Sequence, residues 1–193
     1  MTALSNLFGV GGASLISRFL GRGEREKASR CGAFCIWTAA AVSVLYGLMV
    51  LAGRPVLLPV LGANEETCDM ASSYLFWTIG LGALPTVMNP VLAHLIRSEG
   101  YSRQASLGVA FGGILNMVLD PLFIYGLHLQ ITGAAVATLI SNATAMIYFL
   151  AFIWKMRGVS VLTLSPEMYT LGEHIPAEVI SVGMPSFLIS MMG

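Results

Sequence analysis

Residues 103–155 read RQASLGVAFGGILNMVLDPLFIYGLHLQITGAAVATLISNATAMIYFLAFIWK. Between Arg103 and Lys155 there is a single charge, Asp120. A membrane-crossing helix needs about 20 apolar residues. This stretch is too long for one such helix and fits two, parted near Gly126–Thr132 (GLHLQIT). The same rule works outward along the chain. No charge stands between Arg30 and Arg54, and none between Asp69 and Arg97, so each interval predicts one span. Another apolar run precedes Arg18, and one more starts after Glu178. Spans are therefore expected over 3–17, 32–53, 71–96, 105–126 and 133–154, with a further one from 179 onward. The fold class is all-α: a polytopic transmembrane helical bundle.

Composition supports that class. Of 193 residues, 56% are hydrophobic and 10% are charged, with mean hydropathy +0.78. A soluble domain carries about 25% charged residues, so this chain has too few to cover its apolar surface in water. Ten Lys and Arg balance ten Asp and Glu, which excludes the basic stripe of a nucleic-acid binder. Nine of the ten basic residues fall in alternate loops: Arg18 to Arg30, Arg97 with Arg103, and Lys155 with Arg157. Only Arg54 falls on the other side. The positive-inside rule makes the nine cytoplasmic in a plasma (inner) membrane and puts Glu65, Glu66 and Asp69 outside. The expected partners are then the lipid bilayer and a small molecule, with no nucleic acid. Trp154, beside Lys155, reads either as an interfacial anchor or as a packed tryptophan.

The first ten residues have no basic stretch, so no cleavable leader is expected. The first span is short for a bilayer core of about 30 Å, and the last has run only some 15 residues at Gly193. Both predict a piece of a longer protein. Three parts follow: helices over 1–154, a cytoplasmic linker over 155–177, and the start of another span over 178–193. In the linker, Ser165-Pro166-Glu167 is a helix-start signature. Met168, Tyr169, Leu171 and Ile175 would share one face of a short surface helix, with a solvated linker as the alternative. Cys31 and Cys35 share a helix face and read as small packing residues. With Cys68 they form no zinc spacing.

Asp120 alone among the acidic residues lies inside an expected span. An ionisable group there costs a few kcal/mol and marks a functional site by default. Asn116, four residues earlier, shares its helix face. Pro121 removes a backbone donor and frees a carbonyl one turn back. Carboxylate, amide and carbonyl oxygen suit a hard cation or a proton. Thr138 lies about 9 Å below the outer surface on the next span, as Asp120 does, counting 1.5 Å per residue. It therefore adds a hydroxyl to the same site. The alternative role for Asp120 is to bond a neighbouring helix as structural glue. Gly108 with Gly112, and Gly133 with Ala137 and Ser141, are small-residue stripes read as packing. Pro85 and Pro90 predict a kinked third span with Asn89 between them, read either as lining a substrate path or as prolines accommodated by packing. His94 is expected at the cytoplasmic interface. Catalytic motifs are absent, so no enzyme and no cofactor are expected.

Three segments together resemble the multidrug and toxic-compound extrusion (MATE) family of transporters. They are ISRFLGRGEREKASR, IRSEGYSRQAS and, most specifically, ILNMVLDPLFIYGLHLQITGAAVATLIS with its N-x-x-x-D-P and G-A-A-x-A-T. VGMPSF near Gly183 looks like the start of the family's seventh helix. The resemblance implies twelve helices in two six-helix lobes, which exchange cationic or amphipathic compounds for Na+ or H+. It places this chain at helices two to six and the start of the seventh, an incomplete amino-terminal lobe of about five spans plus the start of a sixth. It also implies that Asn116, Asp120 and Thr138 are the cation or proton site, with Na+ as the one metal they would hold. Asn89 and Pro90 would fall at the substrate cavity.

The family's first helix, which supplies another acidic residue, has no counterpart here. The carboxy-terminal lobe would be a necessary partner, and the chain alone would be inactive. Two other readings remain: a lipid-linked oligosaccharide flippase of the same superfamily, and a non-transporting membrane remnant. The absence of Lys and Arg inside the spans disfavours the flippase.

Overall fold

Residues 1–60, 71–126, 130–165 and 175–192 are described by the computed structural model. They form α1 (Thr2–Gly21), α2 (Arg25–Val60), α3 (Ala71–Leu81), α4 (Ala83–Ser98), α5 (Ser102–Pro121), α6 (Gln130–Lys155) and α7 (Ile175–Met192). Among the described residues, four stretches are long and apolar enough to cross a membrane: Arg25–Pro55, Ser102–Gly126, Ile131–Lys155 and Ile175–Met192. A fifth crossing forms if α3 and α4 make one bent span. The polytopic α-helical bundle expected from the charge-free intervals is the observed architecture.

The helices outrun those intervals. α2 begins at Arg25 rather than near residue 32, and α7 begins at Ile175 rather than near 179. Charge marks where hydrocarbon ends, whereas a helix continues into the interface as long as its backbone bonds can be made. Arg30 bonds Glu26 at 2.6 Å along the first turns of α2, which supports that extension.

α3 and α4 meet at a bend of 43°. Pro85 has no N–H for the carbonyl of Leu81. At Gly82 a Cβ would overlap the carbonyl oxygen of Thr78, so the break needs glycine there. The expected kink is thus placed ahead of the prolines, and α3 closes as a π-helical turn over Phe76–Leu81.

α1 is 20 residues long, about 30 Å at the helical rise, and like α2 and α7 it outruns the charge-free stretch. It is not among the stretches apolar enough to cross a membrane by length and composition, with Ser5, Asn6, Ser14, Ser17 and Arg18 interrupting it. α1 nevertheless packs against α7, α4 and α2. Its small residues permit this. A Cβ on Gly12 would lie 2.5 Å from Cys35 Sγ, and one on Gly11 equally close to the Val179 carbonyl oxygen. Cys31 and Cys35 are fully buried packing residues. His94, half-buried, lies against Gly9 at the α1–α4 crossing.

The outer faces are apolar. On α5 only Ala105, Gly108 and Gly112 are buried, while Phe111, Ile114, Met117 and Val118 are exposed. A helix with this distribution leaves an apolar face that no other described residue covers. Trp154 is 64% exposed and so is not packed in the bundle.

The three connections that carry nine of the ten basic residues meet at one end. Glu99, after α4, accepts hydrogen bonds from Ser160 Oγ at 2.6 Å and from the amides of Val161 and Leu162 at 2.6 and 3.0 Å. Arg25 donates to the Val159 carbonyl at 2.7 Å. Leu162 is buried over Gly32 of α2.

Several expectations lie outside the described residues. These are the acidic loop with Glu65, Glu66, Cys68 and Asp69, the centre of the 126–132 break, and the surface helix from Pro166. Ile175, assigned to that surface helix, is instead buried at the start of α7.

Candidate ion-coupling site

One face of α5 carries Gly108, Gly112, Asn116 and Asp120 at four-residue spacing. α6 runs antiparallel against it. Gly108 lies under the Phe149 ring, where a Cβ would overlap it. A Cβ on Gly112 would come within 3.1 Å of the Ala145 methyl. Near the other end of α6, Gly133 lies against the backbone of Phe123 and Ile124. Glycines therefore bring the two helices close, and Asn116 continues the same stripe one turn on.

At that turn the contact becomes polar. Asn116 Nδ2 donates to Asp120 Oδ1 at 3.3 Å and to Thr138 Oγ1 at 3.4 Å. All three side chains are partly buried. The amide nitrogen thus sits between a carboxylate and a hydroxyl on different helices. Pro121 then withholds a hydrogen bond from the Met117 carbonyl, and the helix continues as a π-helical turn over Leu122–Gly126. Carboxylate, hydroxyl and amide are the oxygen ligands of hard cations. Among the described residues no cluster of three His, Cys, Asp or Glu could hold a metal ion. Any ion here would rely on these mixed oxygen ligands.

Asn89 and Pro90 belong to a second cluster between α4 and α6. Asn89 Nδ2 donates to Asn142 Oδ1 at 3.0 Å, and Asn142 Nδ2 donates to Thr86 Oγ1 at 3.3 Å. Pro90 lies inside α4, where it removes the donor for the Thr86 carbonyl. Asn142 and Thr86 were not singled out in the sequence. The available signal was spacing, since Asn142 follows Thr138 by four residues and shares its helix face. An open cavity of about 500 Å³ lies elsewhere, at the basic end between α1 and α7, lined by Arg18, Arg22 and Glu178 among others. None of the site residues lines it.

The MatE family profile matches residues 1–122. The multidrug export protein MepA of Staphylococcus saprophyticus is 32% identical over 192 residues, covering 100% of this chain and 42% of that protein. MepA of Staphylococcus aureus (strain NCTC 8325) is 30% identical with the same coverage. A solved inward-facing conformation of a multidrug resistance MATE family transporter of the MOP superfamily superposes with TM-score 0.88 at 28% identity, covering 97% of this chain and 42% of that one. An outward-facing conformation gives TM-score 0.86 at 29% identity, covering 96% and 41%. The chain spans about two fifths of the length of the relatives it matches. Sequence match, whole-chain identity and superposition agree: the chain belongs to the MATE family of multidrug efflux transporters, and not to a family of enzymes.

Proposed function

We propose that this chain forms part of an ion-coupled exporter of organic cations or amphipathic compounds, in which Asp120, Asn116 and Thr138 bind the coupling ion, Na+ or H+. The basic end faces the cytoplasm of the plasma membrane. A second lobe, of the kind the longer relatives have room for, completes the substrate path. The observation that carries this reading is the bridging amide: Asn116 joins the Asp120 carboxylate to Thr138 across two helices. Asp120 takes its hydrogen bond from its own helix, which favours a reactive carboxylate over structural glue.

The chemistry follows from which atom of the amide faces the site. With Asp120 ionised, the Nδ2 hydrogens stabilise its charge in a medium of low dielectric constant. When Na+ enters, the carboxylate and the Thr138 hydroxyl ligate it, and the amide turns to present Oδ1. When a proton enters instead, Asp120 becomes a donor and again needs Oδ1 opposite it. Either event reverses the bridge between α5 and α6 and changes their packing. In transporters of two repeats, alternating access rocks one bundle against the other around such a site.

The test is export of a fluorescent cationic dye by the full-length gene product in a pump-deficient host, with Na+ and H+ gradients imposed separately. One gradient should drive efflux, and Asp120→Asn should reduce it to background while membrane insertion persists. Ion-dependent export retained in Asp120→Asn overturns the site. No gradient-driven efflux by the wild type overturns the drug-export reading.

A further inference from the structure

The open cavity between α1 and α7 has charged walls of opposite sign that do not touch. Arg18 and Arg22, four residues apart, share one face at the end of α1. Glu178 and Ser181, three apart, share one face in the opening turns of α7. Among the described residues, none of these four side chains makes a hydrogen bond or an ion pair. Each charge offsets the dipole of its own helix end, so the arginines and the glutamate stay on opposite sides of about 500 Å³. Cavities of that volume hold small ligands. Leu15 and Val182 also line it, and each lies on the bundle side of the charges along its helix.

Walls of both signs select the ligand. A simple cation would meet two arginines, and a simple anion would meet Glu178. A zwitterion answers both, provided its anion offers oxygens to two guanidinium forks and its cation carries N–H bonds for the carboxylate. A phosphodiester joined by a short carbon link to a primary ammonium has this form. It is the phosphoethanolamine head of a phospholipid. The trimethylammonium of phosphocholine has the charge but no N–H, and phosphoglycerol has no cation. The cavity stands at the basic end of the bundle, at the level of lipid headgroups. Its apolar residues point the way into the bilayer for the glycerol and acyl chains, which favours a lipid over a soluble zwitterion.

We propose that the cavity between α1 and α7 is a binding site for a phosphatidylethanolamine headgroup. Arg18 and Arg22 hold the phosphodiester, Glu178 accepts from the ammonium, and the Ser181 hydroxyl adds a neutral partner beside it. Bound lipid would then tie α1 to α7 at the end where their charged residues stand apart.

The experiment uses the full-length gene product, delipidated in detergent and titrated with dioleoyl phosphatidylethanolamine, phosphatidylcholine or phosphatidylglycerol. Bound lipid is counted by native mass spectrometry. The wild type should retain phosphatidylethanolamine about tenfold better than phosphatidylcholine, the scale of one hydrogen bond to a charged group. Joint Arg18→Gln and Arg22→Gln replacement should lower that retention at least about tenfold. Glu178→Lys should invert the preference toward phosphatidylglycerol, an outcome that loss of packing does not produce. Arg18, Arg22 and Glu178 are all exposed, so the variants keep the fold, and melting curves check this. Equal retention of phosphatidylethanolamine and phosphatidylcholine by the wild type overturns the site, as does a preference unmoved by Glu178→Lys. Displacement of the lipid by soluble glycerophosphoethanolamine at matching concentration overturns the membrane source. No dye enters the measurement, so this site and the exporter reading stand or fall separately.

Discussion

The amide of Asn116 holds one nitrogen between oxygens from two helices, so its replacement separates coupling from folding. Side-chain hydrogen bonds inside membranes contribute about 0.6 kcal/mol on average. Asn116→Leu loses two of them and adds apolar surface, so thermal unfolding in detergent should shift by the equivalent of about 1 kcal/mol. Dye efflux should nevertheless lose its dependence on the ion gradient, and retained coupling would count against the bridge. At this scale much of the site was legible. A lone carboxylate in an apolar run is costly enough to stand out, and the four-residue spacing to Asn116 is simple helical geometry. Thr138 followed from equal depth on two antiparallel helices. Asn142 and Thr86 escaped because neutral polar residues are common in membrane helices, and a single chain does not show which of them meet.

The pair of helices α5 and α6 depends on close approach along the glycine stripe. Gly112 leaves no room for a side chain, with Ala145 already 3.1 Å from where a Cβ would stand. Gly112→Leu should destabilise the protein by about 1–3 kcal/mol, the usual cost of overpacking, and part Asn116 from Thr138. Combining it with Ala145→Gly should recover part of the lost thermal stability and of the efflux. A melting curve with no shift in Gly112→Leu would contradict this packing. The stripe was visible in the sequence as a packing motif. What opposes it was not, because spacing shows a shared face without showing its partner. Helix ends were the least legible feature. Hydropathy reports the hydrocarbon, and α2 and α7 extend beyond it. The bend was anticipated from Pro85 and Pro90, but its position depends on Gly82, where the chain must pass close to the carbonyl of Thr78.

In the whole molecule, enclosure does not follow apolarity. α1 packs against α2, α4 and α7, so Ser5, Asn6 and Ser14 are turned at least partly into protein. Asn6 donates to Ser190 of α7 at 2.7 Å. A hydropathy criterion alone underrates such a helix, since its partners satisfy what lipid would not. The bundle is also fastened at its basic end, where Glu99 receives a hydroxyl and two backbone amides from the segment following α6. Val161 and Leu162 lie outside any helix, yet their amide protons are held by a carboxylate, with Leu162 buried beneath. Hydrogen–deuterium exchange should therefore find Val161 and Leu162 as slow as a helix interior. Glu99→Ala should speed both by at least about tenfold. The slow-exchanging unit of this protein would then end at residue 162 rather than at Lys155, with the boundary set by a side chain 63 residues away in sequence.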